Sequence, residues 1–241
     1  MLFSIIAPRV VTALLLSFIV SPLGLMAQQL EKGNTVVFLG DSITREGALE
    51  NGYISLASQA IEKEHPEKEI TLIGAGIGGH KVSNCLKRLQ KDVLDKEPDV
   101  VVIFIGINDV WHWTHPQVVA RGGKGTERGD FEKGLQSMIQ QIEAKKARVI
   151  LCTATVIGEK HDGSNELDQM LDDYSEISRK VAKQSGVQLL DLRKLFLDYL
   201  KKHNSENQEK GILTRDAVHL NARGNVFLAG LMLEALGVSK L

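Results

Sequence analysis

The chain has 241 residues, 43% hydrophobic and 24% charged, with a formal net charge of -1. That is the make-up of one globular domain with a substantial core. The near-zero charge gives no electrostatic basis for a nucleic-acid or anionic-membrane partner. The two cysteines, Cys85 and Cys152, form no disulfide framework, and no cysteine–histidine spacing suggests a zinc site.

The N-terminus differs from the rest in kind. Arg9 is the only charge before Glu31, and Val10 to Val20 is an apolar run that leads through Ser21-Pro22-Leu23-Gly24 to Ala27. This layout predicts a signal peptide over residues 1–27 and a secreted or periplasmic mature chain over 28–241. An uncleaved anchor is the alternative. Ser17, Ser21, Pro22 and Gly24 leave the run short for a span, so no stable membrane partner is expected after cleavage.

Beyond it, Thr35 to Leu39 reads as a strand buried on both faces, ending at Gly40-Asp41-Ser42. A helix follows over Tyr53 to Glu64, and a strand is expected over Glu69 to Ile73. Gly74-Ala75-Gly76-Ile77-Gly78-Gly79 comes next, before a helix over about Lys81 to Lys96. Asp99 to Ile105 is almost wholly β-branched and apolar, so it predicts a central strand. Val110 to Asp130 has no clear period and reads as a long loop. Phe131 to Lys146, Glu166 to Ser185, Leu192 to His203 and Asn221 to Leu236 read as helices. Arg148 to Thr155 and Val187 to Leu192 read as strands. Strand and helix alternate without a linker or repeat, which predicts a five-stranded parallel, doubly wound α/β sheet in one domain. Reactive groups are then expected on the loops after the strands.

Four of those loops carry chemistry. Ser42, at a strand-to-helix turn, places a hydroxyl beside free backbone N–H groups, as acyl transfer requires. Gly74-x-Gly76-x-x-Gly79 formally matches a dinucleotide fingerprint. It follows the second strand, however, and no acidic residue ends the next strand to take a ribose, so no cofactor is expected. A glycine here can instead aim its N–H across at Ser42. Asn108, in Gly106-Ile107-Asn108-Asp109, offers a neutral donor suited to an oxyanion. In Asp216-Ala217-Val218-His219, the spacing lets Asp216 fix the tautomer of a His219 base.

Taken in order, Gly40-Asp41-Ser42, Gly79, Gly106-Ile107-Asn108-Asp109 and Asp216-Ala217-Val218-His219 resemble the signature of the SGNH hydrolases, the GDSL esterase/lipase family. The resemblance runs over about residues 34–236. It implies a flavodoxin-like three-layer α/β/α fold, Ser42 as nucleophile, His219 as base and Asp216 as its orienter. It also implies an oxyanion hole from the Ser42 N–H, the Gly79 N–H and the Asn108 amide, with no metal or cofactor. The family often has asparagine where Gly74 stands, which leaves Gly78 as the alternative to Gly79. An α/β-hydrolase is discounted because its nucleophile elbow needs glycine where Thr44 stands.

Residues and resemblance together predict ester hydrolysis through an acyl-enzyme, on short acyl groups, acetyl above all, carried by carbohydrate. Trp111, His112 and Trp113 directly follow the asparagine block and are expected to line the substrate site. The alternatives are a lysophospholipase or thioesterase acting on longer chains, and an inactive carbohydrate-binding module. The partner expected is thus a small-molecule or glycan ester.

Overall fold

The computed structural model describes residues 29–238, and the predicted signal peptide lies outside the described residues. Among the described residues, five parallel strands form one sheet in the order β2-β1-β3-β4-β5. They are β1 (Thr35–Gly40), β2 (Thr71–Gly76), β3 (Val100–Phe104), β4 (Arg148–Cys152) and β5 (Gln188–Leu190). Every residue of β3 is buried, as its run of valine and isoleucine requires. Crossover connections between the parallel strands lay helices over both faces. On one face α2 (Tyr53–Glu64) packs beside α9 (Ala222–Ala235). On the other, α3 (Val82–Asp92), α6 (Arg128–Glu143) and α7 (Asp168–Ser185) lie side by side. The remaining helices are α1 (Ser42–Gly47), α4 (Ile107–Trp111), α5 (Pro116–Val119) and α8 (Leu192–His203). This is the expected three-layer, flavodoxin-like sandwich.

The strand order has a functional consequence. The chain leaves β1 toward β2 and then crosses back to β3, so the sheet reverses direction between β1 and β3. Ligands bind such sheets at the carboxyl ends of the strands flanking that point. Register makes the edge level: Gly40 lies opposite both Gly76 and Phe104. The loops carrying Ser42, Gly78-Gly79 and Asn108 therefore leave the sheet together.

Three expectations are corrected. Strand β2 lies two to three residues later than its apolar run suggests and takes in Gly74 and Gly76. Glycine is required there because α1 lies directly on the strand: a Cβ at Gly76 would stand 2.1 Å from the Arg45 backbone nitrogen. The helix expected to reach Lys96 ends at Asp92, and a 3-10 turn spans Leu94–Lys96. The 110–130 segment is not a plain loop, because it holds the end of α4 and all of α5, both too short to show a period. Cys85 and Cys152 are buried free thiols, and burial pushes Cys85 up to about 12.

Candidate active site

At the end of β1, Asp41 turns inward and caps α1, its carboxylate accepting from the Ile43 N–H at 2.9 Å. The cap is therefore the aspartate, and the serine beside it is released for other contacts. Ser42 Oγ lies 2.9 Å from His219 Nε2, and His219 Nδ1 lies 2.8 Å from Asp216 Oδ2. An ionised carboxylate only accepts, so Nδ1 carries the proton and Nε2 faces the serine hydroxyl as acceptor.

Asp216 holds this tautomer through a local turn. Its Oδ1 also accepts the backbone N–H groups of His219 at 2.7 Å and Val218 at 3.1 Å. Desolvation pushes the Asp216 carboxyl up, but these bonds and the imidazole outweigh it and keep the group below its ordinary range. Between them, Ala217 sits at φ 76, and its carbonyl accepts from the Gly158 N–H at 2.8 Å.

Asn108 is the second residue of α4, not its cap, and is 3% exposed. One amide hydrogen goes to the His80 carbonyl at 3.1 Å, which joins Asn108 to the glycine turn. Gly79 adopts φ 74, the left-handed region that favours glycine, and is exposed. The backbone N–H groups of Ser42, Gly78 and Gly79 make no hydrogen bond among the described residues. Asp109, fully buried, accepts from Thr126 Oγ1 at 2.6 Å and from the Val82 N–H, which pins the start of α3 to the Asn108 turn. Burial pushes its carboxyl up to about 6, against those hydrogen bonds.

The aromatic residues divide. The Trp111 ring lies 6.4 Å from that of His219 and 4.6 Å from that of His115. His112 stands beside His115, and burial together with the nearby Lys81 charge pushes it down to about 4. Trp113 is not brought to His219. It covers Gly125, where a Cβ would stand 2.3 Å from the indole, and Lys124 Nζ lies 5.3 Å above its ring.

Two supporting residues went unread in the sequence. Arg88, on α3, donates to the carbonyls of Gly40 and Ala75, each at 2.8 Å, and to His80 Nδ1 at 3.0 Å. It ties the last turns of β1 and β2 to the residue that Asn108 holds. Glu159, in the loop after β4, has a completely buried side chain. It accepts the backbone N–H groups of Ile212 and Leu213 at 2.7 Å and of Thr214 at 2.5 Å. The segment so held leads directly into Asp216 and His219. Neither residue stands in a motif, and each adjoins another charge, Lys87 and Lys160, so no local pattern sets it apart.

No group of three or more histidine, cysteine, aspartate or glutamate side chains able to hold a metal ion occurs among the described residues. A serine, a histidine poised as its acceptor and an orienting aspartate, set at the switch point of a parallel sheet, are the groups that a serine acyl hydrolase uses. The model of the GDSL-like lipase/acylhydrolase family matches residues 38–226, and the chain belongs to that family. The crystal structure of an acetyl xylan esterase, AlAXEase, is 46% identical with a TM-score of 0.80 over 84% of this chain and 99% of that one. An acetylxylan esterase of Geobacillus stearothermophilus is 28% identical over 85% of this chain and 94% of its own length. LAE5, an alpha/beta hydrolase enzyme from the metagenome of Lake Arreo, Spain, is 26% identical with a TM-score of 0.76, covering 88% of this chain and 98% of that chain.

Proposed function

We propose that this chain is an exported esterase that removes acetyl groups from a xylan-type carbohydrate, with residues 28–241 as the hydrolase domain and 1–27 as its export signal. The observation that carries the reaction is the continuous relay from Ser42 Oγ through His219 to Asp216, at 2.9 and 2.8 Å. His219 Nε2 takes the Ser42 proton as Oγ attacks the acyl carbonyl. The Ser42 N–H, the Gly79 N–H and the Asn108 amide receive the oxyanion. His219 then gives its proton to the leaving alcohol oxygen, and a water molecule repeats the cycle to free the acid and regenerate Ser42.

The substrate reading draws its support from the acetyl xylan esterase that is 46% identical over most of the chain. Trp111, beside His219, offers a ring face to a sugar. The test is a series of p-nitrophenyl esters from acetate to palmitate, followed by acetylated xylan. Highest kcat/KM on acetate and release of acetate from xylan are expected. Each buried methylene is worth about 0.8 kcal/mol, so a lipid enzyme would gain roughly four-fold per carbon. A kcat/KM still climbing beyond about eight carbons replaces this reading with lipid hydrolysis.

A further inference from the structure

Beside the Asp216–His219 loop lies a cavity of about 420 Å³ that the relay does not use. Asp216, Ala217 and Val218 form one wall, Trp111 and Thr114 a second, and the 157–167 loop with Glu209 the remainder. Its size falls within the range of about 300–1,000 Å³ common for ligand sites. We infer that this cavity is the alcohol-side subsite, which takes neutral sugar units adjoining the acetylated one. The inference rests on the acetyl-carbohydrate reading above.

Direction comes from the reaction itself. The leaving oxygen must lie at His219 Nε2 to receive its proton, whereas the oxyanion lies toward Asn108 and the glycine turn. The rest of the alcohol then projects on the His219 side. Trp111 stands at both places: its ring lies 6.4 Å from that of His219, and it is also a wall of the cavity.

The chemistry of the lining points to hydroxyls. Lys160, Glu166 and Glu209 face the cavity, and their side chains have no hydrogen-bond or ionic partner among the described residues. Charges close by are paired: Arg215 with Glu46 at 3.0 Å, and Arg193 with Asp168 at 2.8 Å. A sugar hydroxyl both donates and accepts, so one ammonium and two carboxylates serve a neutral polyol. The same set repels an anionic ligand and offers little to an acyl chain. The wall is also fixed to the catalytic loop, because the Gly158 N–H donates to the Ala217 carbonyl at 2.8 Å.

The test compares wild type with Lys160→Ala/Glu166→Ala on acetylated xylo-oligosaccharides and on p-nitrophenyl acetate, which has no sugar to seat. Loss of two hydrogen-bonding groups should lower the oligosaccharide-to-nitrophenyl ratio of kcat/KM about ten-fold, through KM. Ser164→Trp, which adds bulk to the cavity lining, should lower the same ratio. A ratio within about two-fold of wild type in both variants, with wild type active on the oligosaccharide, overturns the subsite alone. Wild type active on p-nitrophenyl acetate but inert on the oligosaccharide overturns the carbohydrate reading and the subsite with it.

Discussion

Replacing Glu159 by glutamine should loosen the loop that carries Asp216 and His219 without altering either side chain. The carboxylate uses both oxygens: Oε1 accepts from Leu213 and Thr214, and Oε2 accepts from Ile212 at 2.7 Å. A glutamine with its oxygen toward Leu213 and Thr214 turns an NH2 group toward the Ile212 N–H. One hydrogen bond to a charged group is lost, at about 1.5–3 kcal/mol. For a domain of this size each kcal/mol lowers Tm by about 2–4 °C, so a fall of roughly 3–12 °C is expected. Alanine would leave all three buried N–H groups unpaired at about 1–3 kcal/mol each, a sum comparable with the whole stability of a domain. Glutamine is therefore the informative variant. Misplacing His219 by a fraction of an ångström should also lower kcat on p-nitrophenyl acetate by about 10- to 100-fold, with KM little changed. Thermal unfolding by circular dichroism and steady-state kinetics on the same preparation read both effects. A Glu159→Gln variant with the Tm and kcat of wild type would refute the reasoning.

Ser42→Ala and His219→Ala should each abolish esterase turnover while leaving the unfolding temperature near that of wild type; a folded variant with near wild-type turnover removes the relay. Asn108→Ala should raise the barrier by about 2.7–4 kcal/mol, seen in kcat, whereas a change in KM alone would make Asn108 a substrate-positioning group. Asp41 is buried, and desolvation raises it from 3.8 to about 7, against the hydrogen bond from Ile43 and with the Asp109 charge adding to the rise. The folded chain then holds a proton that the unfolded chain has released across that interval, so stability falls as pH rises from about 4 to about 7. Asp41→Asn keeps an oxygen for Ile43 and removes the ionisable group, so this decline should flatten; chemical denaturation at pH 5 and pH 8 checks it, and an unchanged difference between the two would show that Asp41 is not its source.

The layers, and the pairing of Asp216 with His219 in the candidate site, were legible because each followed from a local pattern. β-branched runs marked β1, β3 and β4, and Asp216 and His219 lie close enough in the chain for one turn to explain their pairing. What escaped depended on distant partners. Gly74 and Gly76 look like turn residues until α1 is laid on β2, when only glycine fits. Ser42 stands where an N-cap is expected, but Asp41 caps α1 and leaves the serine to His219. Trp111 and Trp113 are alike in residue type, yet the first ends α4 beside His219 and the second, two residues past that end, meets Lys124. Glu159 resembles any solvated loop acid, since its burial is decided by a segment more than fifty positions later.

Ser42 and His219 meet across 177 positions of sequence. A ribosome making this chain therefore finishes all five strands, Ser42 included and the last ending at Leu190, before the proposed base exists. The same late segment closes the fold: α9 packs on α2, and Asn225 accepts from the Tyr53 N–H at 3.0 Å. Contacts of such long range form late, because the loop they close must first lose its freedom. On the proposed mechanism, ester cleavage by a nascent or refolding chain reports arrival of the C-terminal segment and not formation of the sheet, and a chain cut short before residue 214 carries Ser42 without the imidazole proposed to deprotonate it.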